Sequence, residues 1–141
     1  MWVFSRAGFF SAVEKGNRRG QEVCVRSRVL EDFDRMRKLY YPEMGAVERT
    51  QNTDYPYRIY LSHDAWARVC EKMAKDIDYA NFKSMVAQEQ GYDRAHLYGG
   101  VWEVMYGAER KLAPKPKPSA KGKKLTKEEA DDLRFFFEEG N

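Results

Sequence analysis

The sequence predicts an α+β fold: a small, mostly antiparallel sheet with helices packed on one face, and a short helix appended at the C-terminal end. Three observations carry this. Residues 55–61 alternate, with Tyr55, Tyr57, Ile59 and Leu61 on one side and Pro56, Arg58 and Tyr60 on the other, the period of a pleated strand. The next stretch changes period: Trp66, Val69, Cys70, Met73 and Ile77 make a single helical stripe. Strand-like segments come in groups separated by polar turns, and helical segments lie between and after the groups, in the order β-β-β-α-β-β-α-α-α. That order suits an antiparallel sheet, with a ferredoxin-like arrangement as the nearest common form.

Taken in order, residues 2–13 hold apolar side chains on both parities, interrupted by Gly8. Two short strands about Ala7-Gly8 fit, and so does one strand bent at a bulge. Residues 15–21 form a polar turn. Residues 22–28 alternate again, with Val23 and Val25 opposite Cys24, Arg26 and Arg28. Ser27 is a candidate cap for a helix over 29–41, whose stripe is Val29, Phe33, Met36 and Tyr40, and Pro42 ends it. Residues 46–50 make a short strand, and Gln51-Asn52-Thr53 turns the chain back as a hairpin. Pro56 has no N–H to donate, so the aromatic strand begins near Tyr57 or lies at an edge. Ser62 caps the next helix, and Asp64 favours its positive end. Asp78 is the candidate cap of a third helix carrying Phe82, Met85 and Val86, with Gly91 as its stop. Asp93 then opens a helix over 94–108 with Leu97, Val101, Val104 and Met105 as its apolar stripe. The Gly99-Gly100 pair inside it predicts a kink or the close approach of another backbone.

Charge divides the chain. Residues 110–125 carry seven basic side chains and no acid, residues 126–141 sum to −4, and the overall charge is +3, so residues 1–109 are neutral. We therefore expect a globular domain over 1–109, a stiff Pro/Lys linker over 110–125, and a short acidic-aromatic helix over 126–141. Thr126 and Glu129 form a capping box for that helix, and Leu133, Phe136 and Phe137 share its apolar side. It is too short to be stable alone, so it must dock. Nothing in the sequence reaches the length of a membrane span, and the N-terminus lacks the features of a signal peptide. Cys24 and Cys70 sit in apolar patterns, as buried thiols of a reducing compartment do. The expected location is cytoplasmic.

Several short motifs resemble those of a group of small bacterial proteins of unknown function. They are Met1-Trp2-x-Phe4 with Gly8-Phe9-Phe10-Ser11, Asp54-Tyr55-Pro56-Tyr57-Arg58, Ile77-Asp78-Tyr79-x-Asn81-Phe82-Lys83, and Val101-Trp102-x-Val104. The resemblance covers about residues 1–108, leaves out the tail, and implies no activity.

The chemistry-bearing residues point to binding. His63 and His96 are the only histidines, and no metal-binding spacing surrounds them. Neither histidine is placed by any catalytic motif, although either could serve as a general base near Tyr55 or Arg58. No nucleophile elbow or phosphate-binding glycine loop is present. We expect no enzyme activity, no metal and no cofactor. Arg58 and Tyr60 are the candidate contacts on the strand, being favoured anchor types. The alternative is that Arg58 pairs with Asp54 or Asp78 and the tyrosines are core. The Asp78–Asn81 junction is explained by capping alone. Leu133, Phe136 and Phe137 complete the expected partner surface, as a helix laid into a partner's groove. The expected function is that of a small adaptor or regulator docking on a larger protein. The alternative is a single-strand nucleic-acid binder using sheet aromatics and Lys115, Lys117, Lys121, Lys123 and Lys124.

Overall fold

The computed structural model describes residues 1–15 and 20–113. Of the expected linker over 110–125 only residues 110–113 are described, and the rest of it and the expected tail helix over 126–141, with their lysines and phenylalanines, lie outside the described residues. The described residues form ten elements: β1 (Trp2–Ser5), β2 (Gly8–Val13), β3 (Glu22–Ser27), α1 (Leu30–Leu39), β4 (Glu48–Arg49), β5 (Tyr57–Ser62), α2 (His63–Lys75), α3 (Phe82–Gln90), α4 (Tyr92–Tyr106) and α5 (Ala108–Leu112). The chain divides into two compact units, Met1–Val101 and Trp102–Asn141.

The five strands form one sheet in the order β1-β2-β3-β5-β4, and every neighbouring pair is antiparallel. The α+β class is as expected. The strand order does not confirm a ferredoxin-like arrangement, which needs two interleaved β-α-β units. The first ambiguity resolves into a hairpin: Ser5 pairs with Gly8, leaving Arg6-Ala7 as a two-residue turn. Pro56 stands just outside β5, which starts at Tyr57.

Alternation along the strands sorts the side chains. Phe10, Ala12, Val23, Val25, Ile59 and Leu61 face inward and pack with Phe33, Met36 and Tyr40 of the α1 region and Trp66, Val69 and Met73 of α2. Phe10 lies edge-on to Phe33 and Trp66. The other face carries Trp2, Phe4, Phe9, Ser11, Arg26, Arg58 and Tyr60. At its β1–β2 end a second, smaller cluster forms, in which Met85, Val86 and Tyr98 pack on Phe4, Phe9 and Phe82.

Helix ends show which capping expectations held. Ser62 Oγ accepts from the Ala65 N–H at 3.1 Å, as expected of an N-cap. Ser27 does not cap α1. Its hydroxyl donates to Asp32 Oδ2 at 2.8 Å and accepts from the Val29 N–H, so it stabilises the turn before the helix. Asp78 does not cap α3 either: Asn81 Oδ1 accepts from the Ser84 N–H at 3.0 Å, and Asp78 pairs with Arg6. Gly91 ends α3 with φ +91° as expected, and α4 starts at once. Ile77 lies beyond α2 and is exposed, so the α2 stripe closes at Met73. Among the described residues nothing lies within 4 Å of where a Cβ would sit on Gly99 or Gly100, so no described backbone approaches there. The helix α5 was not anticipated.

Candidate functional site

Unit 1 is built around one buried carboxylate. Asp32, in the first turn of α1, is 1% exposed. A buried charge is costly unless fully bonded, and Asp32 is. Its Oδ2 accepts from the Phe9 N–H at 3.1 Å and the Ser27 hydroxyl at 2.8 Å; its Oδ1 accepts from Arg35 Nη2 at 2.7 Å and Arg94 Nη1 at 2.8 Å. One side chain thus joins β2, the β3–α1 turn, α1 and α4. Gly8 makes room for it. Burial pulls the Arg94 guanidinium down, but the Asp32 charge together with Tyr98 outweighs this, so Arg94 is held above its usual range. Burial pushes the Tyr98 phenol up, although Arg94 works against it.

Above this carboxylate opens a cleft of about 600 Å³ between the outer sheet face and α4. Its walls are mostly aromatic and aliphatic: Trp2, Phe4, Phe9, Tyr55, Leu97, Tyr98 and Val101, with Arg28 and Asp93 among the polar groups. Phe4 stacks on Phe9 at 4.5 Å, and Tyr98 meets Phe4 edge-on at 5.1 Å. The volume falls in the range of small-molecule sites.

A second polar cluster ties the β1–β2 turn to the α2–α3 connection. Arg6 pairs with Asp76 at 2.9 Å, with Glu89 at 3.1 Å and with Asp78. The Asp78 hydrogen bond, followed by Asp76, holds its guanidinium above the usual range against the pull of burial. Asp76 also accepts from the Tyr40 hydroxyl at 2.7 Å, and burial, aided by that bond, raises the Tyr40 phenol. These ion pairs hold the turn to the connection and are explained as structural.

The helix α4 differs most from its expected role. Leu97, Val101, Val104 and Met105, expected as its buried stripe, are exposed. Tyr98 is the only residue of α4 that is buried, while Leu97 and Val101 are exposed in unit 1. In unit 2, Val104 is 73%, Met105 62% and Tyr106 71% exposed, Trp102 is also exposed, and Trp102 stacks on Tyr106 at 5.1 Å. The sequence offers the reason: apolar side chains surround this helix, so burying one edge leaves the rest in water.

Arg58 and Tyr60 lie half-buried on the outer face of β5. Arg58 pairs with neither Asp54 nor Asp78; its Nη2 donates to Tyr55 O at 3.1 Å and Thr53 Oγ1 at 3.3 Å, bracing the β4–β5 hairpin. Tyr55 is buried, and Tyr57 packs against the inner core. Of the aromatics that a stacking platform would use, Phe4 and Phe9 lie under Tyr98. His63 Nε2 lies 3.1 Å from Glu14 Oε1, and His96 is exposed on α4. Leu133, Phe136, Phe137 and the five lysines lie outside the described residues. The residues that reasoning from sequence passed over are Asp32, Arg94 and Arg26. Only the first had a visible sign, an acid in a first helical turn, and that sign is common.

No protein-family model, curated protein or solved structure matches this chain.

Proposed function

We propose that the protein is a non-enzymatic interaction module of the cytoplasm, a small adaptor or regulator, and that it docks on a larger protein through α4 and the tail helix. The observation that carries this is the exposure of Trp102, Val104, Met105 and Tyr106. A soluble protein rarely leaves contiguous large apolar side chains in water unless they meet a partner. Aromatic residues and methionine are also enriched in the cores of such interfaces. Leu133, Phe136, Phe137, Arg58 and Tyr60 remain candidate contacts of the same partner. The free thiols of Cys24 and Cys70 suit a reducing compartment, and no helix among the described residues is long and apolar enough to cross a membrane.

The test is affinity capture with the tagged full chain, with its Val104→Asp/Met105→Asp variant, and with a chain ending at Ala113. The partner recovered by the full chain should bind both altered chains weaker by about tenfold or more, equivalent to about 1.4 kcal/mol. Undiminished binding by the double variant rejects α4 as the docking surface. Undiminished binding by the shortened chain rejects the tail helix as a contact.

A further inference from the structure

Three arginines converge on Tyr55 without a counter-charge among the described residues. The Arg26 guanidinium lies over the Tyr55 ring at 4.6 Å and that of Arg28 at 5.0 Å, while Arg58 donates to the Tyr55 carbonyl at 3.1 Å. Arg26 and Arg58 are direct partners across the β3–β5 ladder, where like charges repel. Arg26 is only 9% exposed, its Nη2 donates to the Ser11 hydroxyl at 2.8 Å, and its Nε is sealed from solvent with no acceptor; Arg58 Nε is in the same state. Among the described residues no carboxylate forms an ion pair with any of the three. Elsewhere in unit 1 the half-buried Arg6, Arg35 and Arg94 have acids: Arg35 and Arg94 share Asp32, and Arg6 has three.

From this we infer an oxyanion site. Guanidinium forks held in place by Ser11, Thr53 and the Tyr55 carbonyl are pre-organised donors, and an oxygen-rich dianion between them would remove the repulsion that the strand register imposes. Arg28 and Tyr55 also line the aromatic cleft, so the group bound by the arginines continues into apolar walls formed by Trp2, Phe9 and Leu97. The ligand class is a small phosphate monoester whose organic part is flat and apolar. A phosphate offers three terminal oxygens and close to two charges at neutral pH. A nucleic-acid strand is a poorer fit, because residues 1–109 are neutral overall and a polyanion needs a basic track.

The experiment is titration of the full chain with phenyl phosphate, inorganic phosphate and an oligothymidylate, followed by calorimetry. Phenyl phosphate should bind saturably and tighter than inorganic phosphate, and Arg58→Gln and Arg28→Gln should each weaken it by about tenfold or more. These two positions are chosen because Arg26 is buried and its replacement could prevent folding. Circular dichroism checks that both variants fold. Absence of saturable phenyl phosphate binding, equal affinity of folded variants and wild type, or preferential binding of the oligothymidylate would each overturn the assignment.

Discussion

Gly8 and Asp32 set the tolerance of the fold at the scale of single residues. A Cβ built on Gly8 would lie 2.2 Å from Asp32 Cγ, and Gly8 holds φ +146°, where side-chain-bearing residues are strained. Asp32 cannot retreat, since two arginines, a serine and a backbone N–H fix it from four directions. Gly8→Ala should therefore cost about 2–5 kcal/mol, combining backbone strain with overpacking. Urea denaturation measures this, and a wild-type midpoint would show that the carboxylate moves aside freely. Gly8 was legible in the sequence as an interruption. Asp32 was not, because its burial depends on Arg94, 62 positions away.

Among the elements, local chemistry was legible and the choice between neighbours was not. Ser62 was readable as a cap because strand alternation stops at it and a helical stripe begins. Its replacement, Ser62→Ala, removes the acceptor of the Ala65 N–H and should lower stability by about 1 kcal/mol. A thermal melt with no downward shift would contradict the cap. Ser27 and Asp78 carried the same signal and were engaged elsewhere, by Asp32 and Arg6, through contacts that no local pattern reveals. The helix α4 shows the limit of periodicity. When apolar residues surround a helix, spacing does not say which edge is buried. Tyr98 was selected by Phe4 and Phe82, which stand on other elements. The apolar side chains left outside are the ones that the proposed function uses.

For the whole molecule, the β4–β5 hairpin was legible in Gln51-Asn52-Thr53, while the β1–β2 hairpin was one of two readings. The pairing of β3 with β5 was not legible, since α1 and β4 intervene. The strand order also fixes which backbones are left at the margins. At one margin β4 is two residues long, and both Glu48 and Arg49 are charged and exposed, so it offers little to another chain. At the other, β1 reads Trp-Val-Phe-Ser and pairs only with β2 among the described strands. A short, uncharged, aromatic margin is a ready template for a neighbouring molecule once local fraying frees it. Concentrated samples held just below their melting point should accordingly clump by strand addition at β1. Trp2→Lys should slow the rise of light scattering without moving the melting point by more than about 2 °C, since the side chain already faces solvent. Unchanged scattering kinetics would locate the weakness elsewhere. The strand whose indole lines the cleft would then also govern how long the protein survives in a tube.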